Sequence, residues 1–129
     1  MKRDKGKRPY QKKQIPQPFE TSLTRAIERL DRINPVNFSD EDLRVTIGQK
    51  HRLVEVMPVA IERLQCYPLA EGYAYPGDVL HAVLRVPEAY WLAYPKQRIA
   101  ILDILETLDF GDRYQVPDLL KAIGKWRNT

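Results

Sequence analysis

Ten prolines divide this sequence of 129 residues into short segments, and the apolar residues inside those segments follow a helical spacing. Leu23, Ile27 and Leu30 recur every three to four positions, which places them on one face of an α-helix. Proline lacks a backbone N–H group, so it is tolerated in the first turn of a helix and disrupts its interior. An alternating strand pattern is not sustained anywhere. The sequence therefore predicts an all-α fold, a single compact domain of six or seven helices.

Several helix starts are marked by local signals. Ser39 is a good N-cap, and the three acidic residues that follow it suit the positive end of a helix dipole. Gly48 is a natural stop for that helix. Pro58 falls inside the next apolar pattern, where we expect a kink or the start of a new helix. Further helices are expected over about residues 76–86, 87–94, 96–108 and 117–126.

The predicted core is the apolar face that these helices share. It comprises Leu43, Ile47, Leu53, Ile61, Leu64, Leu80, Val83, Leu84, Ile101, Leu102 and Leu105. Cys66 ends an apolar helix, and we interpret it as a small core residue rather than a nucleophile. A single cysteine also excludes an internal disulfide and a multi-cysteine zinc site.

The net charge of +4 is unevenly distributed. Residues 1–13 carry seven Lys or Arg and one acidic residue, whereas residues 14–129 carry 14 basic and 16 acidic residues, a net charge of −2. Few apolar side chains in the first segment could offset the entropy of ordering it. We therefore predict a disordered basic arm over residues 1–18 and a helical domain over residues 19–129. The arm is either a solvated charge run or a segment that contacts nucleic acid.

The sequence contains no recognisable catalytic motif. A Gly-rich phosphate loop, a GxSxG elbow and an HExxH motif are all missing. His51 and Glu55 are interpreted as a surface pair, and His81 as a partly exposed structural histidine. We predict a protein that is not an enzyme and that has no cofactor and no catalytic or metal-binding residues. No apolar run approaches the roughly 18 residues of a membrane span, so a cytoplasmic protein without a membrane partner is expected.

The segment Tyr75-Pro76-Gly77-Asp78 starts a helix under either of two interpretations. Pro76 opens the helix with Asp78 near its positive end, or Pro-Gly forms a tight turn just before the helix. In both cases the role of Asp78 is to place charge at the helix start. We therefore expect Asp78→Ala to cost only about 0.3–1 kcal/mol of stability.

Several segments in the middle of the chain together carry a family resemblance. They are Asp42-Leu43-Arg44, Ile47-Gly48-Gln49, Pro58 and Ala60, Pro68, Glu71-Gly72, and Tyr75-Pro76-Gly77-Asp78 with Leu80, Ala82, Val83 and Leu84. Over about residues 39–91 the chain resembles immunity proteins of contact-dependent growth inhibition (CDI) systems. The resemblance implies a cytoplasmic protein that neutralises one cognate toxin as a 1:1 heterodimer. That toxin would be the C-terminal domain, often a nuclease, of a large surface effector.

Nine residues are candidates for binding such a toxin, because opposite charge accelerates association and tyrosines often anchor interfaces. They are Asp40, Glu41 and Asp42 at one helix start, Glu106, Asp109 and Asp112 near another helix end, and Glu71, Tyr73 and Tyr75 between them. Helix capping is the alternative role for the first group, and simple solvation for the second. The rival function is a nucleic-acid-associated accessory protein that acts through residues 1–13. Under the immunity hypothesis, deletion of those residues should leave protection intact.

Overall fold

A computed structural model of the chain describes residues 18–129, and these residues are helical without any strand. The all-α prediction is confirmed. In this part of the chain seven α-helices follow one another, and a short 3-10 turn at Pro35–Asn37 precedes the second. Their bounds are α1 Pro18–Leu30, α2 Asp40–Gly48, α3 Leu53–Cys66, α4 Asp78–Leu84, α5 Glu88–Ala93, α6 Pro95–Glu106 and α7 Pro117–Arg127.

The described residues fall into two compact units. Helix α1 belongs to a unit that ends at Arg32, and the second unit, Ile33–Thr129, contains α2 to α7. Helix α1 begins at Pro18, ahead of the apolar periodicity, and proline suits a first helical position because its missing N–H group is not needed there. The rest of the predicted arm lies outside the described residues. The boundary between residues 18 and 19 therefore stays a prediction.

Helix α4 is the centre of the second unit. All seven of its residues are buried, and it packs against α2 and α7. Helix α3 packs against α2 and α6, and α6 in turn contacts α5 and α7. Because α4 has only seven residues, it would be marginally stable in isolation, and the helices packed around it must stabilise it.

The predicted core is confirmed except at two positions, Leu53 and Leu102, which are only half-buried. Leu53 is the first residue of α3 and lies at the edge of the packed region. Leu102 lies about 100° around α6 from Ile101, and Ile104 takes the inward position instead. Apolar spacing alone did not show which of two adjacent positions faces the core.

The structure contradicts two expectations for α3, a new helix start at Pro58 and a buried Cys66, whereas the alternative of a kink at Pro58 stays a prediction. The helix runs from Leu53 to Cys66 without a new start at Pro58, because the proline is on its exposed side. Only the hydrogen bond that residue 58 would donate to the carbonyl of Val54 is lost, and Val54 is itself solvent-exposed. Cys66 is exposed rather than part of the core, because it ends the helix where the chain turns away.

Two tryptophans connect the later helices to the end of α4. The indole N–H of Trp91 donates to the carbonyl of Val86 at 3.1 Å, and that of Trp126 donates to the carbonyl of Leu84 at 3.0 Å. The two rings meet edge to face with centroids 5.1 Å apart. This geometry is favourable for aromatic pairs, and it fixes α5 and α7 beside α4.

Candidate functional site

The loop of residues 71–75 is held in place by two carboxylates. Asp78 Oδ1 accepts a hydrogen bond from the backbone N–H of Gly72 at 2.7 Å, and Oδ2 accepts from Ala74 at 3.0 Å and Tyr75 at 3.3 Å. Glu41 Oε1 accepts from the backbone N–H of Tyr73 at 2.8 Å. Four consecutive N–H groups therefore have a carboxylate partner, which makes the 71–75 loop rigid.

Asp78 organises this loop as well as starting a helix. Gly77 has a φ of 85°, and the N–H of Asp78 donates to the carbonyl of Tyr75 at 3.0 Å, so Pro-Gly forms the tight turn. The Asp78 side chain is only 1% exposed, and its oxygens turn back towards the loop. The expected cost of about 0.3–1 kcal/mol for Asp78→Ala includes only the charge at the helix start and leaves out these hydrogen bonds. Loss of this carboxylate leaves several N–H groups without their acceptor, at about 1–3 kcal/mol for each one that stays buried.

Arg44 links the two carboxylates. Its Nε and Nη2 atoms donate to Glu41 Oε1 and Oε2 at 2.7 and 2.5 Å, and Nε lies 3.8 Å from Asp78 Oδ2. The hydrogen bond from Arg44 lowers the pKa of Glu41 below its ordinary value, so Glu41 is ionised at neutral pH. The same hydrogen bond raises the pKa of Arg44. Segments far apart in the sequence thus meet around one loop.

The two tyrosines of the loop have different environments. Tyr73 is 87% exposed at the tip. Tyr75 is half-buried, and its hydroxyl lies 2.5 Å from His81 Nδ1. His81 is buried rather than partly exposed as predicted, because α4 is covered on all sides. Burial, assisted by the charge of Arg85, lowers the pKa of His81 and favours the neutral imidazole.

A groove of about 580 Å³ lies beside the loop. One wall comes from the start of α2 and the segment after α3, and the other from the chain between α6 and α7. The residues that line it are Asp40, Cys66, Tyr67, Pro68, Leu69, Ala70, Glu71, Thr107, Asp109 and Arg113. One member of each predicted acidic or tyrosine-containing group, namely Asp40, Asp109 and Glu71, therefore borders the same groove.

Ion pairs hold two of the groove's carboxylates. Asp40 Oδ1 lies 2.6 Å from Arg63 Nη1, and Arg63 Nη2 also donates to the carbonyl of Phe38 at 2.9 Å. Glu71 Oε1 lies 3.0 Å from Arg113 Nη2 across the groove. The lining of the groove is acidic, and arginines of the same protein partly neutralise its charge.

The remaining candidates divide between internal and exposed roles. Asp42 and Ser39 form a capping box, with both backbone-to-side-chain distances at 3.0 Å, so the capping alternative is confirmed for Asp42. Glu41 and Tyr75 support the loop, as described above. Glu106 and Asp112 are solvent-exposed, and neither is among the residues that line the groove.

A family model for CDI immunity proteins matches residues 9–101 of the chain. The chain belongs to this family. The match covers the whole resemblance over residues 39–91 and extends it on both sides, including the last residues of the basic arm. Membership implies a toxin-neutralising protein that binds a cognate toxin, in a family that generally acts without catalysis. Comparisons with curated proteins and with solved structures give no significant match.

In the part of this immunity protein that the structure describes, no helix has the length and apolar character needed to cross a membrane. The same part contains no group of three or more His, Cys, Asp or Glu side chains that could hold a metal ion.

The groove residues of this immunity protein that the sequence did not indicate include Tyr67 and Arg113. Tyr67 is exposed directly after α3, and the Tyr67-Pro68 pair after an apolar helix was a usable signal for a surface turn. Arg113 gave no such signal, because its importance comes from its contact with Glu71, 42 residues away in sequence. Arg113 also lies beyond the end of the family match at residue 101.

Proposed function

We propose that this immunity protein is a cytoplasmic, stoichiometric inhibitor that binds its cognate toxin domain one-to-one and catalyses no reaction. Binding would block the active site or the substrate channel of the toxin. The observation that supports this proposal most directly is the 71–75 loop, in which four backbone N–H groups are fixed while Tyr73 stays 87% exposed.

The structure of the loop favours tight binding. A tyrosine offers a large contact area with few rotatable bonds, and such residues are frequent hot spots at protein interfaces. Because the backbone beneath Tyr73 is already fixed by Glu41 and Asp78, little conformational entropy is lost when a partner binds. Folding alone does not require the aromatic ring of Tyr73, because the side chain is almost fully in solvent.

The groove next to the loop suggests the chemistry of the partner. Asp40, Glu71 and Asp109 line it, and Glu106 and Asp112 are exposed nearby in sequence. An acidic surface steers a positively charged partner into contact and raises the association rate, which suits an inhibitor that must act before the toxin does. We infer that the toxin is a nuclease with a basic substrate-binding face.

Not all nine candidates should contact the toxin. We assign direct contact to Tyr73 and to the five exposed or groove-lining acids, which are Asp40, Glu71, Glu106, Asp109 and Asp112. Glu41, Asp42 and Tyr75 are assigned a supporting role, because their polar atoms are used within this protein and none of the three lines the groove.

The decisive test is binding of the toxin domain encoded immediately upstream, purified in a catalytically inactive form. Wild-type protein should form a 1:1 complex, measured by calorimetry and light scattering. Tyr73→Ala should weaken binding by about 30-fold or more, the loss typical of an interface hot spot. Leu92→Ala is the matched control, because Leu92 is also an exposed large side chain but lies on α5 and does not line the groove.

Both variants should keep the wild-type melting temperature, since each truncated side chain is exposed. Failure of the wild-type protein to bind this toxin would contradict the immunity function as stated. Tight binding that is unaffected by Tyr73→Ala would instead contradict the proposed surface and leave the function standing.

A further inference from the structure

Arg113 forms the ion pair that connects the two walls of the groove. Its Nη2 atom lies 3.0 Å from Glu71 Oε1, and the two side chains are 46% and 43% exposed. Arg113 belongs to the segment between α6 and α7, whereas Glu71 precedes the turn into α4. The pair therefore lies at the surface of the groove, where an incoming partner would meet it.

This ion pair is more exposed to solvent than the pair between Asp40 and Arg63. Arg63 is anchored twice, to Asp40 and to the carbonyl of Phe38, and its side chain is 25% exposed. The guanidinium of Arg113 makes no second hydrogen bond or ion pair with the described residues. An exposed pair of this kind contributes little to folding stability, because solvent screens it and its side chains lose entropy. Replacement of Arg113 by another cation as the partner of Glu71 therefore costs little free energy.

The charges of the groove indicate which group would replace Arg113. Among the described residues that line it, three are carboxylates, Asp40, Glu71 and Asp109, whereas Arg113 is the single Lys or Arg. Asp109 accepts a hydrogen bond from the N–H of Gly111 at 2.9 Å, and no cation among the described residues forms an ion pair with it. A lysine or arginine of a partner would be attracted by Asp109 and Glu71 and repelled by Arg113.

We propose that Arg113 is a specificity-determining residue, which occupies Glu71 in the free protein and is displaced there by a lysine or arginine of the toxin. This inference rests on the proposed function. A toxin with a suitably placed lysine or arginine forms an ion pair with Glu71 in place of Arg113. A toxin without one leaves the Glu71–Arg113 pair intact and gains no binding free energy at this position. Discrimination by a repulsive element is a common route to specificity between related partners.

The position of Arg113 relative to the family match supports this role. Glu71 and the wall around it lie within the matched residues, whereas Thr107, Asp109 and Arg113 lie beyond residue 101. The groove therefore combines a wall that the family model describes with one that it does not. A residue on the second wall can distinguish this protein's toxin from those of other family members.

The test measures association and dissociation rates with the inactive toxin domain encoded upstream, at low and at physiological salt. Arg113→Gln should raise the association rate and the affinity by about two- to fivefold at low salt, because a repelling charge is removed. Lys121→Gln is the matched control. It removes one exposed positive charge from α7, outside the groove, and should have a smaller effect.

Two further variants separate the exchange from general electrostatic steering. Arg113→Lys should behave like wild type, since it keeps the cation. In a Glu71→Gln background, Arg113→Gln should lose most of its benefit, because the carboxylate that the toxin would gain is no longer there. Weaker binding by Arg113→Gln, an equal gain with Lys121→Gln, or an undiminished gain in the Glu71→Gln background would each overturn the inference. Absence of wild-type binding would contradict the proposed function itself, which makes the two failures distinguishable.

Discussion

At the scale of single residues, the 71–75 loop depends on a missing side chain as well as on charged ones. Gly72 lies against Glu41, where a Cβ atom would come 2.5 Å from Oε1 and 3.1 Å from the Cα of Glu41. The approach of Glu41 to the loop, and its bond to the N–H of Tyr73, therefore requires glycine at position 72. Local conformation does not explain this glycine, since Gly72 is not among the residues with positive φ.

Gly72→Ala is expected to lower the free energy of unfolding by about 1–3 kcal/mol, because the added methyl group displaces the Glu41 carboxylate or shifts its backbone. Urea denaturation measures the change. The control is Gly124→Ala, at a position inside α7 where a Cβ would meet nothing within 4 Å. That substitution should leave stability unchanged or raise it by up to about 1 kcal/mol, as for glycine in a helix interior. A Gly72→Ala protein as stable as wild type would contradict the close approach.

At the scale of secondary-structure elements, α4 is unusual because its buried residues include Asp78 and His81. Each polar group has a partner that makes burial tolerable. Asp78 binds the N–H groups of the loop, and His81 Nδ1 lies beside the Tyr75 hydroxyl, which can donate to a neutral imidazole. Because α4 is buried against α2 and α7, a change in its charge should alter the stability of the second unit.

The burial of His81 in α4 therefore predicts that the stability of the protein depends on pH. Burial lowers the pKa of His81 in the folded protein below the ordinary 6.5, so the unfolded chain binds a proton first as the pH falls. The contribution of neutral His81 is complete above about pH 6.5 and is lost as the pH falls through the lower folded pKa. Denaturation at pH values from 7.5 to about 5 should show a decreasing free energy of unfolding.

His81→Gln should remove part of that decrease, since glutamine does not titrate. Tyr75→Phe keeps His81 buried and should preserve the pH-dependent decrease, because burial is the main cause of the lowered pKa of His81. An identical pH dependence in wild type and His81→Gln would show that other groups account for it.

At the scale of the whole molecule, the charges of the chain are separated along the sequence. Residues 1–8 carry five Lys or Arg and one Asp, whereas residues 14–129 have a net charge of −2. The family match begins at residue 9, so it includes part of the predicted arm but not its most basic segment. Deletion of residues 1–13 would therefore remove family residues as well.

Deletion of residues 1–8 should leave protection against the toxin intact, because this segment lies outside the match and has the same sign of charge as a basic nuclease. Growth of cells that co-express the toxin measures protection. The association rate of the purified proteins should fall as salt is raised, with or without residues 1–8. Survival that requires these residues, together with salt-sensitive RNA binding that disappears with them, would favour the nucleic-acid-associated alternative.

The sequence by itself determined the features that depend on neighbouring residues. The Ser39 N-cap, the proline at the start of α7 and the helical spacing of the apolar residues act within one or two turns, so the all-α class and most helix bounds could be predicted. The family resemblance likewise depended on local motifs. It did not show what those motifs do.

Only the tertiary structure decided the roles of individual side chains in the site. Tyr73 and Tyr75 are two positions apart in a similar sequence context, yet one faces solvent and the other contacts His81. Glu41 and Asp42 are both acidic residues in the first turn of α2, yet one supports a distant loop and the other caps its own helix. The physical reason is that burial and hydrogen-bond partners are set by which elements pack together, and contacts across tens of residues leave no periodic signal in the sequence.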